Sequence, residues 1–272
     1  MLFENIRGVT IPKLGFGTYE LTGQRARDST LMALGIGYRH LDTAQMYENE
    51  SEIGAAIVQS GVPRDELFIT TKIWMTNAAP ARTLASTLQS LQRLQIEYLD
   101  LLLIHWPSEF NPAATLQAML ELRDAGKVRN VGVSNFPLGY IMELPEEPRA
   151  EIFCDQVEYH TFLAQDRLVA YAADRDMLIT AYAPLLRGET AKNEVLAHIG
   201  AQYGKTGAQV ALRWLVEQSH VAAIPRASTE RHARENFEIF DFSLSDTDRA
   251  AIAALPKDRR HVRPRWAPDW EA

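Results

Sequence analysis

The sequence predicts a single α/β domain, residues 1–272, built as a (β/α)8 TIM barrel with a short N-terminal extension and a C-terminal tail over the rim formed by the strand C-terminal ends. Three observations point there. Short apolar runs alternate with longer amphipathic ones along the whole chain, and eight such pairs can be counted. The apolar runs, LDLLLIHW (99–106) among them, are nearly continuous in large aliphatic residues, as parallel strands covered by helices require. The length of 272 residues also fits, because α/β barrels routinely use about 200–250 residues as one domain. A doubly wound open sheet would carry a glycine-rich phosphate fingerprint after its first strand. GFGTYEL (15–21) lacks the third glycine and opens no helix.

Taken in order, KLGFGTY (13–19) reads as the first strand, and RARDSTLMALGIG (25–37) as its helix, with Leu31, Ala33 and Leu34 at helical spacing and Gly35 and Gly37 as stops. YRHLDT leads into NESEIGAAIVQSG, where Asn49 and Glu52 have the spacing of a capping box and Gly61 ends the helix. LFITTKIW precedes APARTLASTLQSLQRLQ, whose Leu84, Leu88, Leu91 and Leu94 make one stripe. YLDLLLIHW precedes AATLQAMLELRDAGK, and VRNVGVSNF precedes a short helix near PLGYIMEL. EIFCDQVEYH is followed by QDRLVAYAADRD, and MLITAYAPL by the two helical runs NEVLAHIGAQYG and GAQVALRWLVEQS. HVAAIPRAS closes the series before TERHARENFEIF and SDTDRAAIAAL.

Composition narrows the partners. A net charge of −7 argues against nucleic acid or an anionic membrane as the main partner, so any anionic ligand must be met by local charge. The single cysteine, Cys154, reads as core filler rather than nucleophile. No basic start followed by a long apolar run opens the chain and no stretch approaches a membrane span, which points to the cytoplasm.

A barrel of this kind gathers its chemistry at the strand C-terminal ends. Those positions here are Asp42 and, just beyond, Tyr47 from the second strand, Lys72 from the third, His105 from the fourth, Ser134 and Asn135 from the fifth, Gln156 from the sixth, Tyr182 from the seventh and Arg226 from the eighth. Each alone has a structural explanation: a histidine satisfied by hydrogen bonds, a solvated lysine, a packed tyrosine. Together they bring an acid, a phenol, an ammonium and an imidazole to one place, and buried Asp and Lys are rarely tolerated unpaired. A phenol ordinarily ionises near pH 10. Lys72 is suited to lower that value, and Asp42 to keep the ammonium charged. A neutral His105 can donate a hydrogen bond to a carbonyl oxygen as its charge grows. This is apparatus for protonating an alkoxide. No metal-ligand spacing, serine–histidine–acid set or phosphate loop competes with it.

GFGTY, HLDTAQMYENE, TTKIW, LLLIHWP, VGVSNF, DQVEYH, AYAPL and IPRASTERHARENF resemble, in order, the signature blocks of the aldo-keto reductases, from about residue 11 to residue 255. The blocks are most similar to those of the bacterial 2,5-diketo-D-gluconate reductases, in particular the small B-type enzymes that also reduce methylglyoxal. The resemblance implies that Asp42, Tyr47, Lys72 and His105 form a catalytic tetrad with the tyrosine as general acid, and that a nicotinamide cofactor binds without a Rossmann fold. By the matching blocks, Ser134, Asn135 and Gln156 would hold the carboxamide and Tyr182 would stack on the ring. Gly17, Thr18 and Leu185 would also lie against the cofactor. Arg226, Ala227, Ser228 and Thr229 would hold the adenosine 2′-phosphate, and Glu235 and Asn236 the adenine.

One departure stands out. His232 occupies a position where many NADPH-preferring members carry arginine, a permanently charged side chain that can stack on adenine and pair with phosphate, whereas an ordinary histidine is mostly neutral at pH 7. Losing one strong phosphate contact, at about 1.5–3 kcal/mol, would cut the preference for NADPH by roughly ten- to a hundredfold. The expectation is NADPH preferred with appreciable NADH use, unless Arg231 or Arg234 supplies the contact. Tyr19, Trp74, Trp106 and Phe110 are expected to line the substrate pocket. Short segments after strands four and seven suit small polar carbonyls such as methylglyoxal or a keto sugar, in a monomer with no metal. Two other readings are a cofactor-sensing barrel of little turnover, which would add an N-terminal segment or partner surface, and a glycosidase, which needs two carboxylates about 5–10 Å apart at the strand ends.

Overall fold

The computed structural model of the protein describes residues 1–270. The chain opens with an antiparallel hairpin, β1 (Phe3–Ile6) and β2 (Val9–Pro12), where the sequence predicts a short extension without strands. Its two-residue turn, Arg7 and Gly8, has φ of 50° and 81°, the left-handed pair whose twist matches that of the flanking strands. Arg7 fastens this turn through its guanidinium to the carbonyls of Ala150, Arg175 and Asp176.

Eight parallel strands follow: β3 (Phe16–Gly17), β4 (His40–Asp42), β5 (Phe68–Ile73), β6 (Leu99–Ile104), β7 (Val128–Ser134), β8 (Ile152–Glu158), β9 (Leu178–Tyr182) and β10 (Val221–Ala223). They pair in sequence order into one curled sheet. A parallel bridge joins Leu14 to Ala223, and the amides of Gly15 and Gly17 donate to the carbonyls of Ala223 and Pro225, so the chain beside β3 contacts the chain beside β10. Gly17 is dictated by this seam: a Cβ there would lie 2.8 Å from the Ile224 carbonyl oxygen.

The helices are α1 (Gly23–Ile36), α2 (Glu50–Ser60), α3 (Pro80–Leu94), α4 (Pro112–Asp124), α5 (Leu138–Glu143), α6 (Glu146–Ala150), α7 (Asp166–Asp174), α8 (Glu194–Tyr203), α9 (Gly207–Glu217), α10 (Glu230–Phe237) and α11 (Asp246–Ala253). They follow the strands in turn, and the buried faces of most of them form one apolar layer against the sheet, while α8 and α11 pack with part of α9 in a separate cluster. A second cluster fills the strand N-terminal end of the sheet's interior. There Ile6 and Ile11 of the hairpin pack with Phe68, Leu101, Leu103, Cys154 and Leu178. The hairpin therefore plugs one end and leaves the other for chemistry. Cys154 is buried, its thiol 3.4 Å from the Thr180 hydroxyl, as core filler would be. No described helix is long and apolar enough to cross a membrane.

Two local expectations are corrected. Asn49 does precede α2, but it makes no capping box: its amide nitrogen donates to the carbonyls of Thr18 and Leu21, and its oxygen accepts from the Thr43 hydroxyl. Tertiary partners outcompeted the local cap. Capping boxes form instead at Thr206–Gln209 and Ser245–Asp248. In α3 the leucine stripe is buried only in part: Leu91 and Leu94 are buried and Leu84 packs against the core, but Leu88 is 43% exposed and the small residues Thr83, Thr87 and Ser90 turn inward beside them. Small side chains let neighbouring helices approach. One close approach of α2 to α3 is at Gly54, where a Cβ would lie 2.5 Å from the Arg93 carbonyl oxygen.

Candidate active site

β4 and β5 lie side by side, so Asp42, the last residue of β4, and Lys72 in β5 meet inside the sheet with side chains 2% and 1% exposed. The Lys72 ammonium donates to Asp42 Oδ1 at 2.5 Å and to the Thr43 carbonyl at 2.9 Å, with the Tyr47 hydroxyl 3.4 Å away. Gln156 Nε2 donates to Asp42 Oδ2 at 2.7 Å from across the interior. Tyr47 ends a single 3-10 turn, Gln45–Tyr47, closed by Glu48 in a left-handed conformation at φ 54°. The turn is pinned by Gln45, whose side-chain oxygen accepts from the Trp74 amide at 3.0 Å and from Asn77 Nδ2 at 2.9 Å. Gln45 carried no signal in the sequence beyond its place between Asp42 and Tyr47.

His105, just past β6, stands edge-on to Tyr47 with ring centroids 5.6 Å apart, and edge-on to Trp74 at 5.3 Å. Its Nδ1 is buried and has no hydrogen-bond partner among the described residues. Burial, reinforced by the Lys72 charge, holds the His105 imidazole well below its ordinary range, so it is neutral. Burial also lowers the Lys72 ammonium, an effect that Asp42 opposes. For Tyr47 the expectation of a lowered value is overturned. Burial pushes the phenol well above its ordinary range, and Asp42 and Tyr19 push the same way. The physical reason is geometric: Lys72 spends its charge on the carboxylate at 2.5 Å, and the phenol is left with a nearly neutral pair beside it. The phenol is therefore fully protonated at neutral pH.

From this corner a cleft of about 900 Å³ runs past Ser134, Asn135, Gln156, Tyr182 and Leu185 to Arg226, Ala227, Ser228, His232, Glu235 and Asn236. Gly17, Thr18 and Tyr19 edge it, and Trp106 and Trp266 close its wide end. The amide and hydroxyl groups form one chain: Ser134 Oγ donates to the Gln156 carbonyl at 2.8 Å, Asn135 Nδ2 to the His105 carbonyl at 2.9 Å, and the Tyr182 hydroxyl to Asn135 Oδ1 at 2.7 Å. Asn135 itself is left-handed at φ 64°. The structure thus brings the four strand-end groups of the tetrad and most of the expected cofactor set to one cleft.

Four predicted residues lie outside its lining, the first of them Lys72, which is fully buried and meets the cleft only through Asp42 and Tyr47. Thr229 is turned away because its hydroxyl caps α10, accepting from the His232 amide at 3.3 Å. Trp74 stands behind the lining, edge-on to both His105 and Trp266. Phe110 sits in the loop after β6 and does not reach the cleft wall. Glu20 and Arg187, which the sequence did not flag, matter instead. Glu20 accepts from Arg226 at 2.9 Å and from Arg187 at 3.2 Å, joining the segments after β3, β9 and β10. Arg231, also in the lining, pairs with Glu235 at 3.0 Å and contacts His232 Nε2 at 2.9 Å. Arg234 is not in the lining and pairs with Glu230. The segment after β9 that carries Arg187 is backbone-strained, with Ala183, Leu186 and Arg187 all left-handed. Among the described residues no cluster of acids, histidines or cysteines is arranged to hold a metal ion.

An eight-stranded parallel α/β sheet with Asp, Tyr, Lys and His converging at its strand ends defines a class of oxidoreductases, and the comparisons agree. Residues 13–257 match the model of the aldo/keto reductase family, and the chain belongs to that family. It is 41% identical over 254 residues to the glyoxal reductase of Bacillus subtilis (strain 168), covering 93% of this chain and 92% of that one. It is 38% identical over 268 residues to the methylglyoxal reductase DkgB of Escherichia coli O157:H7, covering 97% and 100%. A crystal structure provisionally assigned as a 2,5-diketo-D-gluconic acid reductase B superposes with a TM-score of 0.94 at 40% identity, covering 100% of this chain and 98% of that one.

Proposed function

We propose that this protein reduces small aldehydes and ketones to alcohols, with NADPH preferred over NADH and Tyr47 as general acid. The observation that carries the reading is the cleft itself. A protonated phenol beside a buried ammonium and a neutral imidazole lies at one end of it, and the Arg226 and Arg231 guanidinium groups lie at the other. The residues present fit a nicotinamide dinucleotide. The flat run of amide and hydroxyl groups from Ser134 to Gln156 suits a carboxamide, Tyr182 is fixed at the wall by its bond to Asn135, and the two guanidiniums suit a phosphate. Bound there, the dinucleotide would supply the hydride.

The chain's own residues would do the rest. His105, with an unpartnered Nδ1 and no charge, would orient the carbonyl oxygen by hydrogen bonding. As the oxygen gains charge it takes the Tyr47 proton, because an alkoxide is far more basic than a phenolate. Lys72 would then stabilise the phenolate left behind, which makes its 3.4 Å contact more valuable in the transition state than at rest. Trp106 and Trp266 offer an apolar wall to the cleft, in keeping with small carbonyls such as methylglyoxal, glyoxal or a diketo sugar acid, the compounds for which the relatives are named. This reading takes residues 1–272 as one closed barrel domain, its tail over the rim, acting as a cytoplasmic monomer.

The test is NADPH consumption with a panel of methylglyoxal, glyoxal and 2,5-diketo-D-gluconate, repeated with NADH. Turnover with NADPH exceeding NADH by less than about a thousandfold in efficiency is the expected result. Tight NADPH binding with no turnover across the panel would overturn it in favour of a sensor barrel.

A further inference from the structure

Glu158 ends β8, two residues beyond Gln156, and its side chain is fully buried, yet it takes no part in the tetrad. Its carboxylate is completely engaged. Oε1 accepts from His160 Nε2 at 3.0 Å and from the backbone amide of His261 at 2.7 Å, and Oε2 accepts from the backbone amide of Val262 at 2.7 Å. Burial alone would raise this carboxyl, but the three hydrogen bonds outweigh burial and hold it below its ordinary range as a carboxylate.

Two of the three donors belong to a segment 103 and 104 residues further along the chain. That segment is the substrate-side wall: Val262, Pro264 and Trp266 line the cleft, and Trp266 stands edge-on to Trp74 at 6.0 Å, next to His105. Nearby, Arg259 pairs with Glu189 as an exposed contact, and the Arg260 guanidinium lies over the Trp270 ring. A buried carboxylate gripping two consecutive backbone amides fixes both the position and the direction of the chain there, which a ring contact does not.

We propose that Glu158 is a positioning residue that hangs the C-terminal tail from β8 and thereby sets how tightly the carbonyl substrate is held, without touching substrate, cofactor or Tyr47. The effect on substrate rests on the reductase reading above; the tethering of the tail does not. A structural role confined to β8 and His160 would instead lower stability and disturb cofactor binding while leaving the tail's protection intact.

Two substitutions attack the contact from opposite sides. Glu158→Gln keeps the size but can offer a carbonyl to only one of the two amides and faces the other with its own N–H groups. Val262→Pro removes the amide that Oε2 accepts, on an exposed segment where folding of the barrel is not at stake. In the full chain, backbone hydrogen exchange across residues 261–266 is expected to quicken at least about tenfold in each variant, with the NADPH dissociation constant, read by fluorescence, within about twofold of the parent. KM for methylglyoxal is expected to rise at least about fivefold with kcat within about threefold. The double variant should exceed the more affected single one by no more than about twofold, since both changes cut one contact. Unchanged exchange in Val262→Pro, additive effects, or a loosened tail with unchanged KM would overturn the proposal. Should the parent chain reduce no carbonyl, the reductase reading fails separately, and exchange with NADPH affinity still decides the tether.

Discussion

Replacing Lys72 with methionine isolates the energetics on which the site depends. Methionine matches the aliphatic stem and removes the charge together with the donors to Asp42 at 2.5 Å, the Thr43 carbonyl at 2.9 Å and Tyr47 at 3.4 Å. Asp42, 2% exposed, would keep only the amide of Gln156 at 2.7 Å. Removing one member of a buried ion pair costs about 3–5 kcal/mol, because the other charge stays buried without compensation. The expected loss of unfolding free energy is therefore about 3–5 kcal/mol, read from urea unfolding followed by tryptophan fluorescence at pH 7.5. Adding Asp42→Asn removes the stranded charge, so the double variant should be more stable than the sum of the two singles by about 1–3 kcal/mol. A cost below about 1 kcal/mol for Lys72→Met, or strict additivity, would refute the reasoning, since it would mean that the pair is not charged and mutually dependent.

Glu20→Gln should release Arg226 and Arg187 from their shared carboxylate and tighten NADPH by about two- to fivefold, the worth of an exposed ion pair, while leaving NADH nearly unchanged; equal effects on both, by fluorescence titration, would contradict this. Stability should fall as pH drops below about 6.5. Burial pushes His105 and His40 below their ordinary range, so the unfolded chain takes up protons there that the folded one refuses. More protons on the unfolded state means stability rising with pH, at up to about 1.4 kcal/mol per pH unit for each histidine. Asp155, whose carboxyl burial raises, works in the opposite sense, so the net fall is confined to pH below about 6.5, where both histidines take up protons in the unfolded chain. Unfolding midpoints at pH 6.0, 5.5 and 5.0 that stay level or rise as pH falls would exclude this account.

The sheet was legible because each strand is a nearly continuous apolar run, and the tetrad because strand order alone places Asp42, Lys72 and His105 on one rim. What escaped was whatever depends on contacts distant in sequence. The Asn49 side chain was claimed by Thr18 and Leu21 rather than by its own helix, and the leucine stripe of α3 could not show that Leu88 is exposed while Thr83, Thr87 and Ser90 are buried. The shift of Tyr47 depended on distances: Lys72 is nearer to Asp42 than to the phenol, and no spacing along the chain encodes that ordering. The long-range contacts of Glu20, Arg187 and Glu158 were invisible because they span 103 to 206 residues, into segments with no periodic signal.

The most direct test is the steady-state rate of methylglyoxal reduction by Tyr47→Phe beside the unaltered protein, with NADPH affinity measured on both. The substitution removes one oxygen and leaves the Lys72–Asp42 pair in place. If the buried phenol is the proton donor, kcat falls by at least about a hundredfold while NADPH binds within a few-fold of its original affinity. A fall of less than about tenfold, with binding intact, would show that the proton comes from elsewhere and contradict the role assigned to Tyr47.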